Sequence, residues 1–213
     1  MVNAEVLLQL VAWTPFLLEG FAWNLLIAAT AVILGTSVGV LLVTLHASQS
    51  PAGAACSKFV SQTLNYIPSF ALMFYLAVLI PSEFVWPGSG ELIQFPNWIK
   101  AGLALAVSPA AFTAYNFAPA LARWQRNDRG AALLFIPGWN ASLFVTLIAS
   151  STASLVGVNE ILSRSNKLIA ASQNTELMVP LYLYVSLFFL GVCALITGAM
   201  KVLSRRLQGQ SHP

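Results

Sequence analysis

The side chains able to do polar chemistry in this sequence are few, and they sit among apolar neighbours. Ser142, Thr146, Ser150 and Ser154 recur every four residues, so on a helix they share one face. Inside that run, Ser150-Ser151-Thr152-Ala153-Ser154 is the densest hydroxyl cluster. A nucleophilic serine needs a base within reach, and no histidine or lysine lies near this cluster, which argues against a serine hydrolase. Asn65-Tyr66 and Tyr115-Asn116 each set an amide beside a phenol, and Ser108 stands in the same apolar stretch as the second pair. In an apolar setting such groups need hydrogen-bond partners or a wet path. His46, His212, Cys56 and Cys193 have neither metal-ligand nor disulfide spacing, so no metal centre is expected. No Gly-x-x-x-x-Gly-Lys-Ser/Thr occurs, so the chain carries no P-loop. The remaining uses for the hydroxyls and amides are interhelical packing or the lining of a path for a polar solute.

The elements that must position these residues follow from composition. Of 213 residues, 58% are hydrophobic and 8% charged, against about 45–50% and about 25% in soluble domains. Ten basic and seven acidic side chains cannot cover the surface of a water-soluble protein this size. The apolar stretches are continuous rather than alternating, which favours helices over a membrane barrel. The chain therefore reads as all-α, a polytopic helical bundle of five transmembrane helices. The spans fall at about 16–45, 59–80, 101–121, 132–156 and 178–203 of one domain, 1–213. The N-terminus lacks a basic region and a cleavage site and is expected to be retained.

Basic residues near span ends set orientation. Lys58, Arg123, Arg126, Arg129, Lys201, Arg205 and Arg206 fall on one side; Lys100, Arg164 and Lys167 fall on the other with most of the acids. The N-terminus is thus expected outside and the C-terminus inside. The basic tail is read as a topology signal with anionic-lipid contact rather than as a nucleic-acid site. Gly35 and Gly39, four apart, predict close helix packing. Pro68 is expected to kink the second span or to mark its true start. The segment 81–98 reads as a turn-rich outer loop, with Trp86 and Trp98 at headgroup level. No charged residue is expected firmly inside a span, hence no proton relay and no intramembrane ion pair.

The order of motifs resembles the transmembrane subunits of ABC importers of the polar amino-acid type. The likeness runs through residues 16–27 (FLLEGFAWNLLI), the Gly35/Gly39 pair, Tyr66-Ile67-Pro68 and Ala110-Ala111-Phe112. It closes on 149–158 (ASSTASLVGV), similar to the family's DTSLASVIGV, and on the last span with its SRRL tail. The resemblance implies a type I, binding-protein-dependent importer permease in a bacterial inner membrane. It implies a second permease subunit, ABC ATPase subunits and an external solute-binding protein as partners, with ATP and Mg used by the ATPase and no cofactor or enzymatic activity in this chain. Asn65, Tyr66, Ser108, Tyr115, Asn116, Ser150 and Ser151 are then the candidate substrate-pathway residues.

Departures from the family pattern are specific. Its Arg-Gly-Thr-Pro is replaced by Asn65-Tyr66-Ile67-Pro68, the glutamate after its third-helix motif by Tyr115, and its Lys-Asp before the serines by Ile148-Ala149. The family's long cytoplasmic loop, with its Glu-Ala-Ala signature, is replaced by a short basic connection, 122–131, roughly 20 residues shorter. Such a connection offers little area for docking an ATPase, although Arg123, Arg126 and Arg129 could still face one. The expectation is a degenerate permease paired with a more typical one. A membrane scaffold or regulator that kept the fold without transporting is the alternative.

Overall fold

The computed structural model describes residues 4–47, 51–85, 88, 90–126 and 128–209. Trp86 and His212 lie outside the described residues, and only the backbone of Arg129 is described.

Helix α1 (Ala4–His46) is the axis of the bundle. Its 43 residues make a rod of about 64 Å at ~1.5 Å per residue, twice the ~30 Å hydrocarbon core. Among the described residues, four helical stretches are long and apolar enough to cross a membrane: Val6–His46, Asn97–Gln125, Phe135–Val156 and Thr175–Arg206. A fifth crossing exists if a bent pair of helices counts as one span.

That bent pair occupies the span expected at 59–80 and breaks at Pro68, where a kink or a new start was expected. Helix α2 (Pro51–Leu64) starts inside what the sequence suggested was a loop, and α3 (Ser69–Leu79) leaves it at 99°. Pro68 is the cause. It has no N–H to donate and pushes the residue before it out of the helical region. Helix α2 therefore closes with the Asn65 and Tyr66 N–H groups on the Gln62 and Thr63 carbonyls, and α3 starts just after Pro68. With 11 residues, α3 is about 16 Å long and half a membrane thick.

Strands β1 (Glu83–Val85) and β2 (Leu92–Gln94) pair antiparallel, with Phe84 opposite Ile93. Helices α4 (Asn97–Leu105) and α5 (Val107–Gln125) run on through Ala106, which keeps helical angles. The span is thus longer than the expected 101–121 and takes in Lys100. After α5, the connection to α7 (Phe135–Ala149) holds one short helix, α6 (Arg129–Leu133).

Helix α7 tightens into a 3-10 turn over Ser150–Val156. The hydroxyls of Ser150, Ser151, Thr152 and Ser154 each donate to the carbonyl three residues earlier, at 2.6–3.0 Å. Such back-bonding competes with the regular helical ladder and favours the narrower coil. Gly157, at φ +88°, ends the turn in a conformation that suits glycine. Helix α8 (Ile161–Ser172), unexpected from the sequence, follows and packs on the N-terminal half of α1; a short 3-10 turn (Thr175–Leu177) leads into α9 (Met178–Gly209).

Two cores hold the bundle. Ile27 and Ala31 of α1 pack with Met73, Ala101, Leu105 and Ala153; Leu17 and Phe21 pack with Ile161, Leu181 and Val185. Between α1 and α5 the backbones almost touch. A Cβ at Gly35 would lie 2.6 Å from Pro109 Cγ, and one at Gly39 would lie 2.5 Å from Thr113 Cβ.

Candidate substrate cavity and the polar joint beside it

A cavity of about 390 Å³ opens where α2 breaks into α3 opposite α5. Asn65, Ser69, Ser108, Phe112, Tyr115 and Asn116 line it. The Pro68 bend presents Asn65 at the end of α2, while Ser108, Tyr115 and Asn116 come from α5. Asn65 Nδ2 donates to the Ser61 carbonyl at 3.1 Å and Asn116 Nδ2 to the Phe112 carbonyl at 2.8 Å, each one helical turn back. Each amide thereby keeps its carbonyl oxygen for another donor. A second cavity, about 380 Å³, shares Tyr115 as a wall and is lined also by His46, Ser57, Lys58 and Gln62. The first cavity has no charged side chain in its lining. It can hold a small polar solute by hydrogen bonds, and it has no buried charge to select one sign.

Four of the seven expected pathway residues therefore meet: Asn65, Ser108, Tyr115 and Asn116. Tyr66 does not line this cavity and is 83% exposed. Ser151 is half-buried and bonded to the Ile148 carbonyl. Ser150 is wholly buried elsewhere, as part of a polar joint that the sequence reading missed. Arg123 and Arg126 are exposed at the end of α5 and the turn after it, and the Arg126 N–H closes on the Ala122 and Arg123 carbonyls.

The joint ties α8 to α1 and to the end of α7. Asn24 Nδ2 donates to Ser150 Oγ and to Glu160 Oε2, both at 3.0 Å, and Asn24 Oδ1 accepts from the Ile161 N–H at 3.0 Å. Glu160 caps α8, accepting from the Leu162 and Ser163 N–H groups at 2.9 and 2.8 Å. Burial pushes the Glu160 carboxyl above its usual range, against the pull of those donors and of Asn24. One turn on, Arg164 donates to Glu19 at 2.7 Å and to the Phe16 carbonyl at 3.0 Å, with its guanidinium 4.6 Å above the Phe16 ring. Gly20 makes room: a Cβ there would lie 2.6 Å from Arg164 Cδ and 2.9 Å from the Ile161 backbone.

Two charged side chains also belong to the long apolar helices. Glu19 lies within the α1 span and is ion-paired. Lys100 lies within the third and is fully buried, its Nζ donating to the Ile80 carbonyl at 2.6 Å and to Ser82 Oγ at 3.3 Å. The ammonium supplies the donor that the end of α3 lacks, so its placement serves the chain turn. Asn24, isolated in the apolar run FAWNLLIAAT, was the one legible sign of the joint. Glu160 and Arg164 read as ordinary flanking charges because nothing in the sequence shows α8 folding back on α1.

The fold and cavity together define a multi-pass membrane protein with an uncharged polar chamber between its helices. No protein-family model matches the chain, and no curated relative matches it. Among solved structures, the chain is similar to one described as an amino acid ABC transporter with histidines. The TM-score is 0.73 at 14% identity, covering 93% of this chain and 97% of that one. It is also similar to the inward-facing MetNI methionine ABC transporter, with a TM-score of 0.57 at 16% identity over 96% of this chain and 99% of that one. The chain thus shares its fold with chains of these two ABC transporter structures along nearly its whole length.

Proposed function

We propose that this chain is a membrane-spanning subunit of an ATP-driven, binding-protein-dependent importer, with its N-terminus outside and its C-terminus inside a bacterial inner membrane. The observation that carries the reading is the permease fold with a polar, uncharged cavity at the Pro68 break. Asn65, Ser108, Tyr115 and Asn116 contact the solute there. Fold likeness supports the transporter class, whereas the cavity lining supports the substrate class: a small amino-acid-like molecule that is zwitterionic or weakly polar. An external binding protein delivers it, and separate ATPase subunits hydrolyse ATP with Mg.

The short connection through α6 favours a heteromeric assembly. An ATPase needs a stable contact of the order of 1,000 Å² or more to drive helix movement, and a five-residue helix offers little of that. In this reading a second, more typical permease makes most of the ATPase contact, and Arg123, Arg126 and Arg129 add electrostatic contact. The test is purification of the tagged chain from its native membrane, identification of what accompanies it, and assay of ATP hydrolysis and uptake in proteoliposomes. A second permease with an ATPase, and uptake lost in Asn116→Leu, support the proposal. A chain recovered without them, or uptake that proceeds fully without it, refutes it in favour of a non-transporting scaffold on the same fold.

A further inference from the structure

Away from the substrate cavity, another chamber of about 350 Å³ lies where α6 and the start of α7 meet the end of α9. Its walls include Leu133, Ile136 and Met200, and Lys201 and Arg205 of α9 stand at it. These two cations are four residues apart, so they lie on one face of α9 and can grip one anion together. Both are exposed, and neither forms an ion pair among the described residues. Asn140 also lines this chamber. It is only 8% exposed, and its buried Oδ1 has no hydrogen-bond partner among the described residues. An orphaned acceptor in an apolar wall costs free energy until a donor fills it.

We propose that this chamber is a binding site for one anionic glycerophospholipid with a hydroxylated head group. Its phosphate lies between Lys201 and Arg205, a head-group hydroxyl donates to Asn140 Oδ1, and an acyl chain follows the apolar wall. Three features select a lipid. The chamber is at the end of a span, where head groups sit; its walls are apolar, which a free anion cannot use; and its cations are paired at the rim rather than enclosed. The inference rests on the membrane placement of α9 and is independent of whether the chain transports anything.

The test uses the full chain with whatever subunits accompany it. It is titrated in detergent with dioleoyl phosphatidylglycerol and, separately, with dioleoyl phosphatidylcholine, and bound lipid is counted by native mass spectrometry. A saturable phosphatidylglycerol adduct is expected, with phosphatidylcholine bound more weakly. Lys201→Gln and Arg205→Gln each weaken phosphatidylglycerol binding by about fivefold, and together by about 30-fold. Arg206→Gln, which removes an exposed cation of α9 outside the chamber, leaves binding unchanged. Asn140→Leu lowers the preference for phosphatidylglycerol over phosphatidic acid, which lacks the glycerol hydroxyls. The single variants decide the matter if the double variant does not fold. Unchanged binding in Lys201→Gln and Arg205→Gln, an equal loss in Arg206→Gln, or displacement of the lipid by inorganic phosphate overturns the proposal.

Discussion

Replacing Asn24 with leucine tests the joint between α1, α7 and α8. The side chain is fully buried and makes three hydrogen bonds, to Ser150, to Glu160 and from the Ile161 N–H. Leucine nearly matches it in volume, so the change removes polarity with little overpacking. Ser150 still donates to the Leu147 carbonyl at 2.6 Å, and Glu160 still accepts from Leu162 and Ser163. The Ile161 N–H has no such reserve and is left buried and unpaired. An orphaned N–H costs about 1–3 kcal/mol, and each of the other two lost bonds about 1 kcal/mol; the apolar burial of leucine offsets part of that sum of about 3–5 kcal/mol, leaving a net loss of about 3 kcal/mol. For a chain of this length that lowers Tm by roughly 6–12 °C, read by tryptophan fluorescence of the purified protein in detergent. Ser150→Ala loses the acceptor for Asn24 and the donor to the Leu147 carbonyl, about 1–2 kcal/mol in all. In the double variant the two effects are less than additive, because they remove one shared bond. A Tm within about 2 °C of wild type for Asn24→Leu would refute the claim that this joint holds α8 in place.

The remaining predictions concern pH, packing and the cavity. Because burial raises the Glu160 carboxyl, the folded chain binds that proton more tightly than the unfolded one. The associated stability is fully present below the ordinary value of 4.5 and is lost as pH rises through the folded value. Wild-type Tm therefore falls relative to Glu160→Gln as pH rises from 4.5, and parallel curves for the two proteins would contradict this. Gly35→Val drives a side chain into Pro109 and the α5 backbone and costs about 1–3 kcal/mol or more. Gly191→Ala on α9 meets nothing within 4 Å and gains about 0.5–1 kcal/mol from helix propensity; comparing their melting curves checks both. Tyr115→Phe and Asn116→Leu change cavity polarity at exposed positions, so uptake in proteoliposomes falls severalfold while Tm moves by less than about 2 °C. Equal loss of Tm and uptake would assign these residues to folding.

The uncharged cavity and the buried charges divide the polar groups of this chain into two kinds. Asn65 and Asn116 satisfy one amide hydrogen locally and face open space with the rest. Asn24 and Lys100 spend their hydrogen-bonding capacity on other segments of the chain, and Glu160 divides its own between the first turn of α8 and Asn24. Removing a group of the first kind leaves the bundle intact, and removing one of the second leaves a buried partner exposed to its full desolvation cost. The polar residues that look most costly in sequence are therefore divided between function and architecture by where their partners lie.

Much of this protein follows from local chemistry written along the chain. The apolar runs determine that long helices form and that they belong in a membrane, since so few charges cannot solvate the surface. Pro68 determines a break near the second span, because a missing N–H acts on its own turn. Gly35 and Gly39 mark where another helix can approach, and Asn65, Ser108, Tyr115 and Asn116 stand out because polar groups are costly in apolar segments. Only the tertiary structure decided what meets what. Ser142, Thr146, Ser150 and Ser154 looked like one face of a helix, yet the 3-10 turn begins at Ser150 and carries that hydroxyl to Asn24. Glu160 and Arg164 looked like loop charges until α8 folded back on α1. Lys100 looked like a topology signal until its ammonium was found on the end of α3. In each case the partner on another segment lies between 18 and 148 residues away along the chain. No periodicity encodes such pairings; they are set by the packing of helices against one another.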